Sequence, residues 1–142
     1  MRASDKIRLA GGVALILLDT HAFIWWCSDR GPLSAVALSR IEENVGRLFI
    51  SVGSALEIAL LIRKERLKLP IPPDQFIQRA LNHHGIHELP LKRQTVLAAI
   101  NLPDIHNDPI DRILVAEAHT GSKTIVTKDT MIPNYPGIKT AW

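Results

Sequence analysis

Four short apolar runs, each too short for a buried helix and each separated from the next by at least one amphipathic stretch, constrain this chain more than any other feature. Ala14 to Leu18 is the first, Leu48 to Ser51 the second, Ile86 to Leu89 a weaker third and Thr124-Ile-Val-Thr127 the fourth. Their length and β-branched content predict strands. Helix signals fill the intervals. Ser34 can cap a helix through Ile41 to about Asn44, and Ser54 one that carries Leu56, Ala59, Leu60 and Ile62. Pro72-Pro73-Asp74 opens another toward Leu81, and Arg93 to Ile100 follows. The last runs from an Asp108 cap and Pro109 to a stop near Gly121. Strands joined through helices cannot pair as hairpins. They need crossovers, so the expected fold is α/β, a mostly parallel central sheet flanked by helices in three layers.

With 142 residues, 46% apolar and 22% charged, the chain suits one domain with an adequate core. No repeat, low-complexity tract or linker divides it, so residues 14–142 are expected to form that single domain. Cys27 is the sole cysteine, which excludes a disulfide scaffold and predicts a reduced, cytoplasmic protein. Arg2, Lys6 and Arg8 before the run Leu9 to Leu18 imitate a signal peptide. The run nevertheless ends at Asp19 without a small-residue cleavage site and is far short of a membrane span, so a buried strand is the better reading. Residues 1–13 carry no pattern and read as a flexible extension or the product of an upstream start codon.

In an open parallel sheet, ligands sit beyond the carboxyl ends of the strands. Here the positions that follow the strands are acidic. Asp19 ends the first, Asp129 follows the fourth, Glu57 lies on the helix after the second, and Asp108 and Asp111 open the helix before the fourth. Structural readings exist for some. Ser54 with Glu57 fits a capping box, and Asp108 with Asp111 fits a capped helix start with favourable charge on the dipole. Asp19 and Asp129 have poor strand propensity and no helix that obviously demands them. Acids gathered at one edge repel one another unless a positive charge lies between them. Oxygen ligands favour Mg²⁺ or Mn²⁺, whereas zinc would want Cys or His in the cluster. Setting these five aside leaves 9 of the 14 acids against 17 bases, a net charge of +8 on the remainder. An acidic pocket on a basic body suits a metal-dependent enzyme acting on a polyanion.

The runs Leu17-Leu-Asp-Thr-His-Ala-Phe-Ile-Trp-Trp26, Ser51-Val-Gly-Ser-Ala-Leu-Glu-Ile-Ala59, His106-Asn-Asp-Pro-Ile-Asp-Arg-Ile-Leu-Val-Ala-Glu-Ala118 and Thr127-Lys-Asp129 together resemble a PIN-domain ribonuclease, and more narrowly the VapC toxins of bacterial toxin-antitoxin modules. The likeness extends from about residue 15 to Trp142. Ile110 stands where Phe is usual, and Leu56 where many relatives have Trp. The resemblance implies that Asp19, Glu57, Asp111 and Asp129 are the catalytic acids and hold one or two Mg²⁺ or Mn²⁺ ions. Asp108 is then expected to cap its helix and touch the metal shell. It further implies an endoribonuclease in which water is the nucleophile, leaving 5′-phosphate and 3′-hydroxyl ends. A VapB-type antitoxin covering the site and a homodimeric state are implied as well.

Thr20, Ser51 and Arg112 are the candidates for substrate contact, each with a structural alternative: backbone satisfaction for the hydroxyls, an ion pair for the arginine. His21 can meet phosphate or be an ordinary polar position. His83, His84 and His87 imitate a metal site by spacing, but Gly85 between them favours a solvated turn. Trp25 and Trp26 read as core or dimer surface sooner than as base-stacking residues. Cys27 reads as a buried structural thiol. Arg63, Lys64, Arg66 and Lys68 make a basic helix end suited to the dipole, to RNA or to the antitoxin. A receiver domain would want paired acids after an early strand and a Lys after the last. A haloacid-type phosphatase would want an acid where His21 stands. The non-enzymatic alternative is an inactive PIN scaffold that binds RNA or protein; it would be favoured by loss of an acid, and all four are present.

Overall fold

The computed structural model describes residues 14–142, so the expectation for residues 1–13 lies outside it. In chain order the elements are β1 (Ile16–Leu18), α1 (Thr20–Cys27), α2 (Ala35–Glu42), β2 (Leu48–Ser51), α3 (Gly53–Arg63), α4 (Pro73–His84), β3 (His87–Leu89), α5 (Arg93–Ile100), α6 (Pro109–Gly121), β4 (Thr124–Val126), a 3₁₀ turn (Ile132–Asn134) and β5 (Lys139–Ala141). The strands form one sheet in the order β3-β2-β1-β4-β5, with every pairing parallel. This is the three-layer α/β arrangement that the alternation of runs predicts.

Strand β1 is central, and its three side chains are fully buried. Because successive strand residues face opposite ways, they serve two cores. Ile16 and Leu18 pack with Phe23, Ile41, Leu48, Ile50 and Ile58 on one face. Leu17 packs with Leu114, Val115, Ile125, Ile132 and Tyr135 on the other. Each such burial stabilises the fold by roughly 1.5–3 kcal/mol. A run buried on both faces has no polar alternation, which is why it imitates a signal sequence.

Two shifted element starts and one whole strand stand out against expectation. Strand β1 starts at Ile16, because the Ala14 N–H is taken by the buried Asn44 side chain at 2.9 Å and not by a neighbouring strand. Helix α3 starts at Gly53, one residue before the expected Ser54 cap. Strand β5 went unpredicted: of Lys139-Thr-Ala141 only Ala141 is buried, and the segment becomes a strand by pairing with β4 at the sheet edge. Helix α4 stops where expected, at Gly85, whose φ of 61° is the left-handed conformation that glycine adopts without a Cβ penalty.

The topology places a crevice. From β1 the chain builds outward through β2 and β3, then returns to add β4 and β5 on the other side of β1. The connections therefore diverge beyond the carboxyl ends of β1 and β4, where open α/β sheets bind ligands. Among the described residues no helix is long and apolar enough to cross a membrane.

Candidate active site

A cleft of 430 Å³ opens at that switch point, lined by Asp19, Thr20, His21, Trp25, Glu57, Asp111, Lys128 and Asp129. The four expected acids reach it from four separate parts of the chain. Asp19 leaves β1 and is the N-cap of α1, accepting the Ala22 N–H at 2.8 Å. That cap is the helix demand that the sequence did not reveal. Burial pushes its carboxyl above the usual range, against the pull of the Thr127 hydroxyl and the Ala22 N–H.

Glu57 lies on α3, and the expected capping box is absent. Ser54 sits inside the helix, buried, and the N-cap residue, Val52, supplies no side-chain cap. The Ser54 hydroxyl instead lies 2.9 Å from Thr20 Oγ1, which in turn approaches Glu57 Oε1 at 2.5 Å. Thr20 thereby ties α1 to α3 and holds one Glu57 oxygen.

Asp111 stands in the first turn of α6, where the helix dipole favours a carboxylate. Its pKa is nevertheless raised to about 7, first by burial and then by the negative charge of Asp108; His106 lowers it, and Glu57 and Asp129 raise it further. Asp129 moves the other way. Burial pushes it up, but the Ile132 N–H, His106 and the Met131 N–H outweigh this and hold it below the ordinary range. Both main-chain N–H groups donate to Asp129 Oδ1, Met131 at 2.7 Å and Ile132 at 2.9 Å.

Between these two acids stands a residue whose role the sequence analysis missed. His106 Nε2 is 2.8 Å from Asp129 Oδ2 and 3.0 Å from Asp111 Oδ2. Its signal lay in the third motif, but a histidine on a loop before a helix cap has no pattern that ties it to the fourth strand. One atom from each of His106, Asp111 and Asp129 falls within 4.8 Å of the others. Convergent oxygen atoms, with two desolvated carboxyls above their usual pKa, fit a hard divalent cation.

The PIN domain profile matches residues 16–138. The chain belongs to the PIN domain family. Ribonuclease VapC22 of Mycobacterium tuberculosis (strain ATCC 25618 / H37Rv) is 30% identical to it over 130 residues, 89% of this chain and 98% of that protein. Among solved structures, VapBC2 from Rickettsia felis, bound to a DNA fragment from their promoter, is similar with a TM-score of 0.62 at 14% identity, covering 90% of this chain and 96% of that one. FitAcB from Neisseria gonorrhoeae is similar with a TM-score of 0.60 at 17% identity, covering 88% and 95%. At those identities the solved structures speak for the fold alone.

Other expected site residues of this PIN domain fall elsewhere. Asp108 Oδ1 caps α6 through the Ile110 N–H at 2.8 Å and lines the neighbouring groove, not the cleft. Ser51 is buried and absent from the cleft lining; its Oγ accepts the Gly53 N–H at 3.0 Å and so steadies the start of the Glu57 helix. Arg112 is buried too, its guanidinium donating to backbone carbonyls outside the cleft lining. His83 and His84 meet edge to face while His87 sits on β3 beside Phe49, so the three form no common site. Trp26 is core, but Trp25 lines the cleft with its ring 5.4 Å from that of His21. Burial pushes the Cys27 thiol up to about 12, which makes it unreactive.

The raised Asp111 pKa makes a stability prediction. An acid that binds its proton more tightly when folded contributes stability below the unfolded value, and this is lost as pH rises through the folded value. Between about pH 4 and pH 7, metal-free protein therefore loses stability from this group. The Asp111→Asn protein should melt several degrees above the wild type at pH 8 without metal, with a markedly smaller gap at pH 5. Thermal melts at the two pH values check it; equal gaps would contradict the assignment.

Proposed function

We propose that this PIN domain is a divalent-metal-dependent endoribonuclease toxin of the VapC type. The observation that carries the reading is the convergence of Asp19, Glu57, Asp111 and Asp129 on one cleft whose rim bears Lys128 and His21. The four carboxylates hold Mg²⁺ or Mn²⁺. When bound, the ion supplies a water of lowered pKa and positive charge against the developing charge on phosphate. Thr20 fixes Glu57, and His106 holds Asp111 and Asp129. Lys128 offers a cation to the RNA backbone, and Trp25 with His21 forms an aromatic wall. Water adds at phosphorus and gives up a proton, the P–O3′ bond breaks, and the departing 3′ oxygen takes up a proton, so that none is gained or lost overall. The ribose 2′-hydroxyl takes no part.

The reading includes a cytoplasmic location for this protein and a VapB-type antitoxin as its partner. A second groove of 590 Å³, lined by Leu56, Leu60, Leu61 and Ile110 with Lys64 and Arg66 at its edge, shares Glu57 with the cleft. A partner segment seated there reaches the acidic site. Leu97 and Ile100, 58% and 68% exposed on α5, support self-association as a homodimer. The inactive-scaffold alternative is disfavoured because no acid is missing. End chemistry tests the mechanism: fragments made with Mg²⁺ should ligate through 5′-phosphates to an adaptor, whereas 2′,3′-cyclic phosphate ends would overturn it.

A further inference from the structure

Resting on that metal-dependent reading, we infer that His106 is a positioning residue, a hydrogen-bond donor to Asp129 that also stands against Asp111, sets the two acids for the cation and is not itself a ligand. The residue is firmly held. Its main-chain N–H donates to the Tyr135 hydroxyl at 2.9 Å, its carbonyl accepts Arg112 Nη1 at 3.1 Å, and its ring Nδ1 accepts the Asp108 N–H at 3.1 Å. Those three contacts come from buried or half-buried residues and leave the imidazole one orientation.

The ring contact also fixes the tautomer. A backbone N–H can only donate, so Nδ1 carries no proton and the neutral ring carries it on Nε2. Nε2 therefore donates its one proton to Asp129 Oδ2 at 2.8 Å, stands 3.0 Å from Asp111 Oδ2, and has no lone pair to give a metal. To ligate through Nε2, the ring would have to move its proton to Nδ1, against the Asp108 N–H. The acceptor count agrees. Asp129 Oδ1 is filled by two backbone donors, Oδ2 takes His106, and one lone pair on Oδ2 remains; Asp111 keeps its other oxygen. His106 thus occupies the inner side of the pair and leaves acceptor sites outward. Donors of this kind orient metal-binding carboxylates, and their loss typically weakens binding by about 10–100-fold.

The test reads metal binding. Mn²⁺ affinity would be measured by calorimetry on wild-type protein and on His106→Ala, His106→Gln and Tyr135→Phe, each checked for folding by circular dichroism. His106→Ala should bind about 10–100-fold more weakly. His106→Gln, whose amide N–H stands near the place of Nε2–H, should recover to within about fivefold of wild type. Tyr135→Phe should bind about fivefold more weakly than wild type, and if the alanine protein fails to fold, unchanged binding by Tyr135→Phe together with His106→Gln overturns the proposal. Pulsed electron paramagnetic resonance of the Mn²⁺ form should show no directly coordinated nitrogen. Equal or tighter binding by His106→Ala, or a directly coupled nitrogen lost in that variant, overturns the proposal. Wild type that binds no Mn²⁺ overturns it together with the metal reading. The expected affinity series with uncut RNA would support it and overturn only the ribonuclease reading.

Discussion

Asp19→Asn is expected to give a protein that folds at least as well as the wild type and cuts RNA about a thousandfold more slowly, roughly 4 kcal/mol in the barrier. The two halves of that result follow from the two oxygens of one side chain. Oδ1 caps α1 through the Ala22 N–H, and Asn serves that role about as well as Asp, so the helix keeps its start. The cleft is where the substitution acts, because a neutral amide removes one of the four cleft charges proposed to hold the cation. Burial already pushes the Asp19 carboxyl above its usual pKa, so the charge destabilises the metal-free fold and its removal relieves the strain. Cleavage assays paired with thermal melts check both. A variant that loses activity only because it unfolds would show that Asp19 is structural.

The second large effect belongs to Arg112. Its Nε donates to Ala99 O at 3.1 Å, Nη1 to Pro103 O at 3.0 Å and His106 O at 3.1 Å, and Nη2 to Leu102 O at 2.8 Å and Ile100 O at 3.3 Å. The Tyr135 hydroxyl completes the shell at 3.4 Å from Nη1. One guanidinium thus gathers the end of α5 and the whole connection to α6, the segment that carries His106. Arg112→Ala leaves these carbonyls without partners, and the expected loss is about 3–5 kcal/mol, or roughly 10–20 °C in melting temperature. Arg112→Lys should restore little, because a single ammonium cannot span the fork. Urea unfolding measures this directly. Had Arg112 held phosphate, Arg112→Ala would leave stability unchanged and raise KM, and that outcome would contradict the structural role.

What the sequence revealed and what it hid divide along physical lines. Strands β1, β2 and β4 were legible because burial on both faces leaves uninterrupted apolar runs, and α6 because Asp108, Pro109 and Gly121 punctuate it locally. The gathering of the acids was legible because parallel topology sends every strand's carboxyl end to one edge. Contacts that depend on three-dimensional closure were not. Lys139–Ala141 is a strand only through β4, and Ser54 forgoes its cap because Thr20 arrives from another helix. His106 and Asp129, 23 residues apart, meet only after β4 has been added beside β1. Arg112 next to Asp111 looked like a charge facing the site, yet its helix turns it to the opposite duty, toward the α5 carbonyls.

The account's central claim is that four convergent acids hold a metal used to cut RNA. Its most direct test incubates total cellular RNA with the purified, antitoxin-free protein in Mg²⁺, in EDTA, and in EDTA followed by excess Mg²⁺. Discrete fragments that vanish with EDTA and return with Mg²⁺ are the predicted result; fragments that persist in EDTA, or RNA left whole in all three by folded protein, would contradict it.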